Sequence, residues 1–219
     1  MNDETHGKGD DLASTDWSAI LNASDDHSPW ICLTPERVAC LSLEDCLYQI
    51  DRAVVDVDRL ALAAKAAHLS LQAALTAALS GSASIGAYPA KLRDEYLQFF
   101  EDSRFASIER PLSDRVMGFC DLLETAIREP LPWTQTPLEV NEGERELLDR
   151  LTVVRHAVEH PKQSRHSIEP AYIAKGLPVA ARLTTELLAS VSHHLEPGCL
   201  ASVKLVAGRI FDMSSRYSV

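Results

Sequence analysis

Residues 43–80 read LEDCLYQIDRAVVDVDRLALAAKAAHLSLQAALTAALS. Apolar or small side chains recur at Leu43, Leu47, Ile50, Val54, Val57, Ala61, Ala64, His68, Leu71, Leu75 and Ala78. The steps alternate between four and three, the period of a helix packed along its length. Ser42 is placed to cap this run, with Asp45 three positions on as an approximate capping box. The run is long for one straight helix, so a bend is expected within it, and Gly81 is the expected stop. His68 interrupts the stripe. It reads either as a core histidine satisfied by one hydrogen bond or as a group facing a functional cleft.

The rest of the chain points the same way. Glycine is scarce, at 9 of 219 residues, and 46% of the residues are hydrophobic, so a substantial core is expected and helix is favoured over sheet. Residues 81–90 read as a loop, and helices are expected over 91–103 and 113–128. The stretch EPLPWTQTP, from Glu129 to Pro137, holds three prolines and reads as a linker. Asn141 should cap a helix with Glu144 at the third position, and Pro161 should end it. A further helix is expected from Glu169, with Pro170 in its first turn, to about Leu195, before Pro197 and Gly198. The last segment, 199–215, leans to helix, although its β-branched residues would also suit a strand. The expected fold is therefore all-α, an antiparallel helical bundle of about five to six helices. It would occupy residues 29–219 as one domain, behind a polar, disordered tail over 1–28.

Composition narrows the function. The net charge of −11 argues against a generally basic nucleic-acid surface, so any RNA binding must use a local site. The N-terminus lacks the apolar core of a secretory signal, and no apolar run reaches the roughly 18 residues that span a bilayer. No membrane partner is expected. The five cysteines, Cys32, Cys40, Cys46, Cys120 and Cys199, contain no CxxC pair and read as reduced thiols, which places the chain in the cytoplasm.

One stretch departs from the acidic average. From Arg155 to His166 the cations Arg155, Lys162 and Arg165 face only Glu159, and His156, His160 and His166 lie among them. On a wheel of about 100° per residue, Leu147, Leu148, Leu151, Val154 and Val158 share one face, and Arg155 falls about 40° from Leu151, inside that face. A guanidinium buried there must be paired, border a wet cleft or lie at an interface. Glu159, its i+4 neighbour, is one available partner. His160 precedes proline and so sits at the helix end, free to turn and close to the negative pole of the dipole. A titratable imidazole within about a turn of a permanent cation suits metal-free phosphodiester cleavage by an RNA 2′-hydroxyl. Histidine serves as acid or base, and arginine stabilises the phosphate charge. Lys162 and Arg165 read as solvated loop charges or as phosphate-positioning residues.

The order Arg155-His156-x-x-x-His160 resembles the signature of the HEPN superfamily, an arginine and a histidine separated by four to six residues, often with a polar residue after the arginine. The setting is similar too: the motif lies near the end of a capped helix, and SIEPAYI opens the next. The resemblance covers about residues 40–195. It implies a metal-independent endoribonuclease with no cofactor, acting as a homodimer whose two motifs share a cleft. It also implies a toxin or defence role and a protein antitoxin or inhibitor as partner. Arg155, His160 and His156 would form the catalytic group.

Two other readings fit the same letters. HAVEH, from His156 to His160, spells H-x-x-E-H, in which the histidines would bind zinc and Glu159 would be the base. Pro161 ends the helix that such a site requires, and no third ligand is marked, so no metal is assigned. Alternatively, Arg155 pairs with an acidic neighbour, the histidines are solvated, and the bundle is a non-catalytic protein-binding module. His193 and His194, near a helix end, read as solvent-exposed.

Overall fold

The computed structural model describes residues 33–102, 110–161 and 167–217. Seven α-helices are present among them: α1 (Pro35–Ala53), α2 (Arg59–Ser80), α3 (Ala90–Asp102), α4 (Phe119–Arg128), α5 (Glu142–Glu159), α6 (Pro170–Ser190) and α7 (Cys199–Ser214). Short 3-10 turns follow at Ser192–His194 and Ser215–Tyr217. The described residues contain no strand, so the fold is the all-α bundle expected, with more helices than the sequence suggested. The tail expected over 1–28 lies outside the described residues.

The extra helix comes from the opening stretch, which folds as a hairpin rather than as one bent rod. α1 begins before Leu43: the Thr34 hydroxyl accepts the Arg37 N–H at 3.2 Å, Pro35 fills the first turn, and Glu36 faces the positive helix pole. Ser42 is therefore a buried residue within α1, not its cap. The chain reverses at residues 54–58 with neither glycine nor proline. The Asp56 carboxylate accepts the Asp58 N–H at 3.2 Å, and the Val55 and Asp56 N–H groups bond back to Arg52 O. Ser70 Oγ donates to Ala39 O at 2.7 Å, and Arg59 Nη1 donates to Gln49 Oε1 at 3.4 Å. These two pairs run in opposite order along the chain, so α1 and α2 are antiparallel. The reversal puts Val54 and Val57 at the hairpin tip, where they are exposed instead of continuing the buried stripe.

α2 is the central helix and packs against α1, α4, α5 and α6. It is buried around most of its circumference, and alanines at 63, 64, 66, 67, 73, 74, 77 and 78 let its neighbours approach closely. α5 and α6 are also antiparallel. Arg182 Nη2 meets Glu144 Oε1 at 2.7 Å near one end, and the Arg150 guanidinium lies 4.3 Å from the Tyr172 ring centroid near the other. Between them Gly176 faces Leu151. α7 lies across α6 and α1, which settles the ambiguous last segment as helix. Pro178 lies inside α6 and cannot donate to Ala174 O, yet the helix continues because Ala174, Leu177 and Ala181 around it are packed in the core.

α4 starts at Phe119, later than the expected residue 113. The preceding backbone is engaged elsewhere: Met117 N–H bonds to Ala87 O at 2.9 Å, and the Tyr96 hydroxyl reaches the carbonyls of Pro111 and Ser113. These anchors fasten α3 and the 81–90 loop to the approach of α4. Similarly, α6 stops at Ser190 rather than near Leu195, and the chain passes through a 3-10 turn before Pro197.

Candidate functional site

Both ends of α5 form as its sequence dictates. At the start, Asn141 Oδ1 accepts the Glu144 N–H at 3.0 Å and Glu144 Oε2 accepts the Asn141 N–H at 3.1 Å, a complete capping box. At the other end His160 is the C-cap (φ −128°, ψ 68°), and its N–H bonds to His156 O at 2.9 Å before Pro161. Leu148, Leu151 and Val154 are buried, so the helix is locked in rotation and the positions of its polar residues follow.

Arg155 lies at the edge of the buried face and is partly covered. Its Nε stands 2.7 Å from Glu159 Oε2, and the other carboxylate oxygen, Oε1, lies 3.9 Å from Lys65 Nζ of α2. Glu159 is thus an ion-pair partner bridging two helices, which answers the question of what satisfies a guanidinium on an apolar stripe. His156 and His160 are both exposed. Their rings are near-parallel (25°), with centroids 6.2 Å apart, so His160 keeps the one-turn relation to His156.

His68 of α2 is near enough for Arg155 and His156 to act on it electrostatically. It is 2% exposed, and its ring packs on Phe119 of α4 at 4.2 Å between centroids. Its Nε2 has no hydrogen-bond partner, so the single-bond satisfaction expected of a core histidine is not provided at that nitrogen. Burial pushes its pKa down to about 4, with the charges of Arg155 and His156 acting in the same direction. His68 is therefore a neutral imidazole at pH 7, held within the electrostatic reach of the α5 cations.

The structure brings Arg155, His156 and His160 together on the last turns of α5. Lys162 and Arg165 lie outside the described residues. Sequence reasoning overlooked Lys65, although a signal existed: it is the one charged residue between Arg59 and Lys91. Among the described residues, no three His, Cys, Asp or Glu side chains are grouped to hold a metal ion. Glu159, the base of the zinc reading, is engaged by cations instead. His193 and His194 are exposed as expected, with Trp133 against them at ring-centroid distances of 4.5 and 5.4 Å.

The chain matches no family model, no curated protein and no solved structure. The site is therefore read from its own chemistry. Two cations, Lys65 and Arg155, share one carboxylate, and two exposed imidazoles continue the row toward solvent. An anion arriving there meets a guanidinium with five donors, of which the Nε contact to Glu159 occupies one. On the opposite side of α5 an open depression of about 530 Å³ is lined by Arg150, Val153, Ile168 and Tyr172 among others. None of the described helices is long and apolar enough to cross a membrane.

Proposed function

We propose that the C-terminal end of α5 is a metal-independent RNA-cleaving site of the HEPN kind, completed by a second copy of the chain. The observation that carries this reading is the clustering of Arg155, His156 and His160 on one helix end anchored by Pro161 and the buried face, with Lys65 sharing the Glu159 carboxylate. In the proposed reaction an imidazole, that of His160 or its copy in the partner, takes the proton of the RNA 2′-hydroxyl as its oxygen attacks phosphorus. The 5′-oxygen bond breaks, and a second imidazole returns a proton to the leaving oxygen. Arg155 stabilises the charge that builds on the phosphoryl oxygens. His156 orients the site. A single chain exposes the two imidazoles on an open surface, and the facing copy supplies the opposite wall and excludes water. A toxin or defence role, with a protein inhibitor, accompanies this reading.

A second reading has its own support. The Arg155–Glu159 contact at 2.7 Å satisfies the guanidinium internally, as in a non-catalytic protein-binding module. Total RNA incubated with purified protein in EDTA separates the two. RNA cleavage is expected from the natural chain and not from Arg155→Ala or His160→Ala. Equal cleavage by all three would assign the activity to a contaminant, and no cleavage by any would favour the binding module. The homodimer is read from mass in solution at micromolar concentration, where a strict monomer would contradict the shared cleft.

A further inference from the structure

Two cysteines far apart in sequence meet in the fold. Cys40, in the second turn of α1, and Cys199, the first residue of α7, place their sulfurs 3.0 Å apart, both as free thiols. An S–S bond of about 2.05 Å needs the sulfurs to move only about 1 Å closer. The two environments differ. Cys40 is 3% exposed and Cys199 only half-buried, and both line a cavity of about 180 Å³ together with Arg37, Glu44, Glu196 and Ser202. That space admits a molecule the size of a few waters and excludes a folded protein oxidant. Among the described residues the other two thiols are Cys46, which is buried, and Cys120, which is exposed.

We propose that Cys40 and Cys199 form a peroxide-oxidisable thiol pair that reversibly staples α7 to α1. Cys199, the accessible member, attacks one oxygen of a small hydroperoxide. The O–O bond breaks, hydroxide (or alkoxide) leaves and takes up the thiol proton, and Cys199 becomes a sulfenic acid. Cys40 Sγ then attacks Cys199 Sγ. The S–S bond forms, the S–O bond breaks, and the hydroxyl departs as water with the Cys40 proton. Two thiols are oxidised by two electrons and one peroxide is reduced. Burial and the neighbouring Cys199 push the Cys40 thiol up to about 12, which disfavours it as the first nucleophile; it attacks second, at 3.0 Å from the oxidised sulfur, as the departing hydroxyl takes its proton. The assignment stands apart from the RNA reading and does not use Arg155 or the histidines.

The test uses the full chain and hydrogen peroxide. Intact mass should fall by two hydrogens, peptide mapping should recover Cys40 linked to Cys199, and dithiothreitol should reverse both. The oxidised chain should melt at a higher temperature than the reduced one, because the link constrains the long intervening segment. Cys199→Ser should remove the link and the Tm difference. Cys40→Ser should leave Cys199 as a sulfenic acid that a cyclic 1,3-dione traps. Mapping on the natural chain needs no variant, so the proposal stays testable if Cys40→Ser does not fold. A link to Cys32, Cys46 or Cys120 instead, over-oxidation of Cys199 without a link, or no reaction until denaturant is added would each overturn it.

Discussion

Arg155 Nε and Glu159 Oε2 stand 2.7 Å apart on the last turns of α5, and the same carboxylate reaches back toward Lys65 of α2. This contact does two things. It makes a guanidinium tolerable at the rim of an apolar face, and it offsets part of the positive charge, and one of the five donors, that a phosphate would use. The resting site is therefore an internal salt: Glu159 holds the place of an anion between Lys65 and Arg155.

Replacing Glu159 tests that description. Glu159→Ala leaves two cations without their shared anion, and a loss of about 1 kcal/mol is expected, because both partners remain partly solvated. The same change should tighten binding of a short labelled RNA, measured by fluorescence anisotropy, and the gain should shrink with added salt. Unchanged RNA affinity would show that the pair has only a structural role.

His68 sets a second expectation, in pH. Its folded pKa is about 4 against an ordinary 6.5, so between those values the unfolded chain binds the proton more readily. Stability is then constant above about pH 6.5 and falls as pH drops toward 4, by on the order of 3 kcal/mol for this group. Denaturant melts of the natural chain and of His68→Phe across that range check the sign. The variant should lose less stability on acidification, and parallel curves would remove His68 from the account.

Gly176 is where α6 crosses α5. A Cβ added there would stand 2.9 Å from Leu151 Cγ and within 3.2 Å of both its methyls, and Leu151 is 1% exposed. Gly176→Ala should therefore destabilise by about 1–3 kcal/mol, despite the better helix propensity of alanine. Gly208→Ala is the control: nothing lies within 4 Å of its would-be Cβ, so it should stabilise slightly or do nothing. A chemical-denaturation midpoint for each variant decides.

What the sequence disclosed and what it hid divide along physical lines. Signals carried by neighbours in the chain were legible: Asn141 with Glu144, the proline stop at 161, Pro170 opening α6, and Arg155 on the wrong face of its helix. The hairpin at 54–58 was not, because Val54 and Val57 keep the apolar period across a turn that an aspartate side chain makes without glycine or proline. The late start of α4 was hidden for a related reason, since its preceding backbone is held by Ala87 and Tyr96, both distant in sequence. His68 was visible as an oddity on an apolar helix, whereas Lys65 was overlooked on the same helix. Their meeting with α5 depends on packing that periodicity alone does not specify, and so does the Cys40–Cys199 contact.

The chemistry of the cleaved RNA ends reports on the attacking group itself. With EDTA present, attack by the 2′-hydroxyl must leave a 2′,3′-cyclic phosphate on one fragment and a 5′-hydroxyl on the other. These ends are expected from the natural chain, with their formation slowed at least about 100-fold in both Arg155→Ala and His160→Ala. Fragments with 3′-hydroxyl ends, cleavage that requires a divalent metal, or cyclic-phosphate products that persist undiminished in both variants would contradict it.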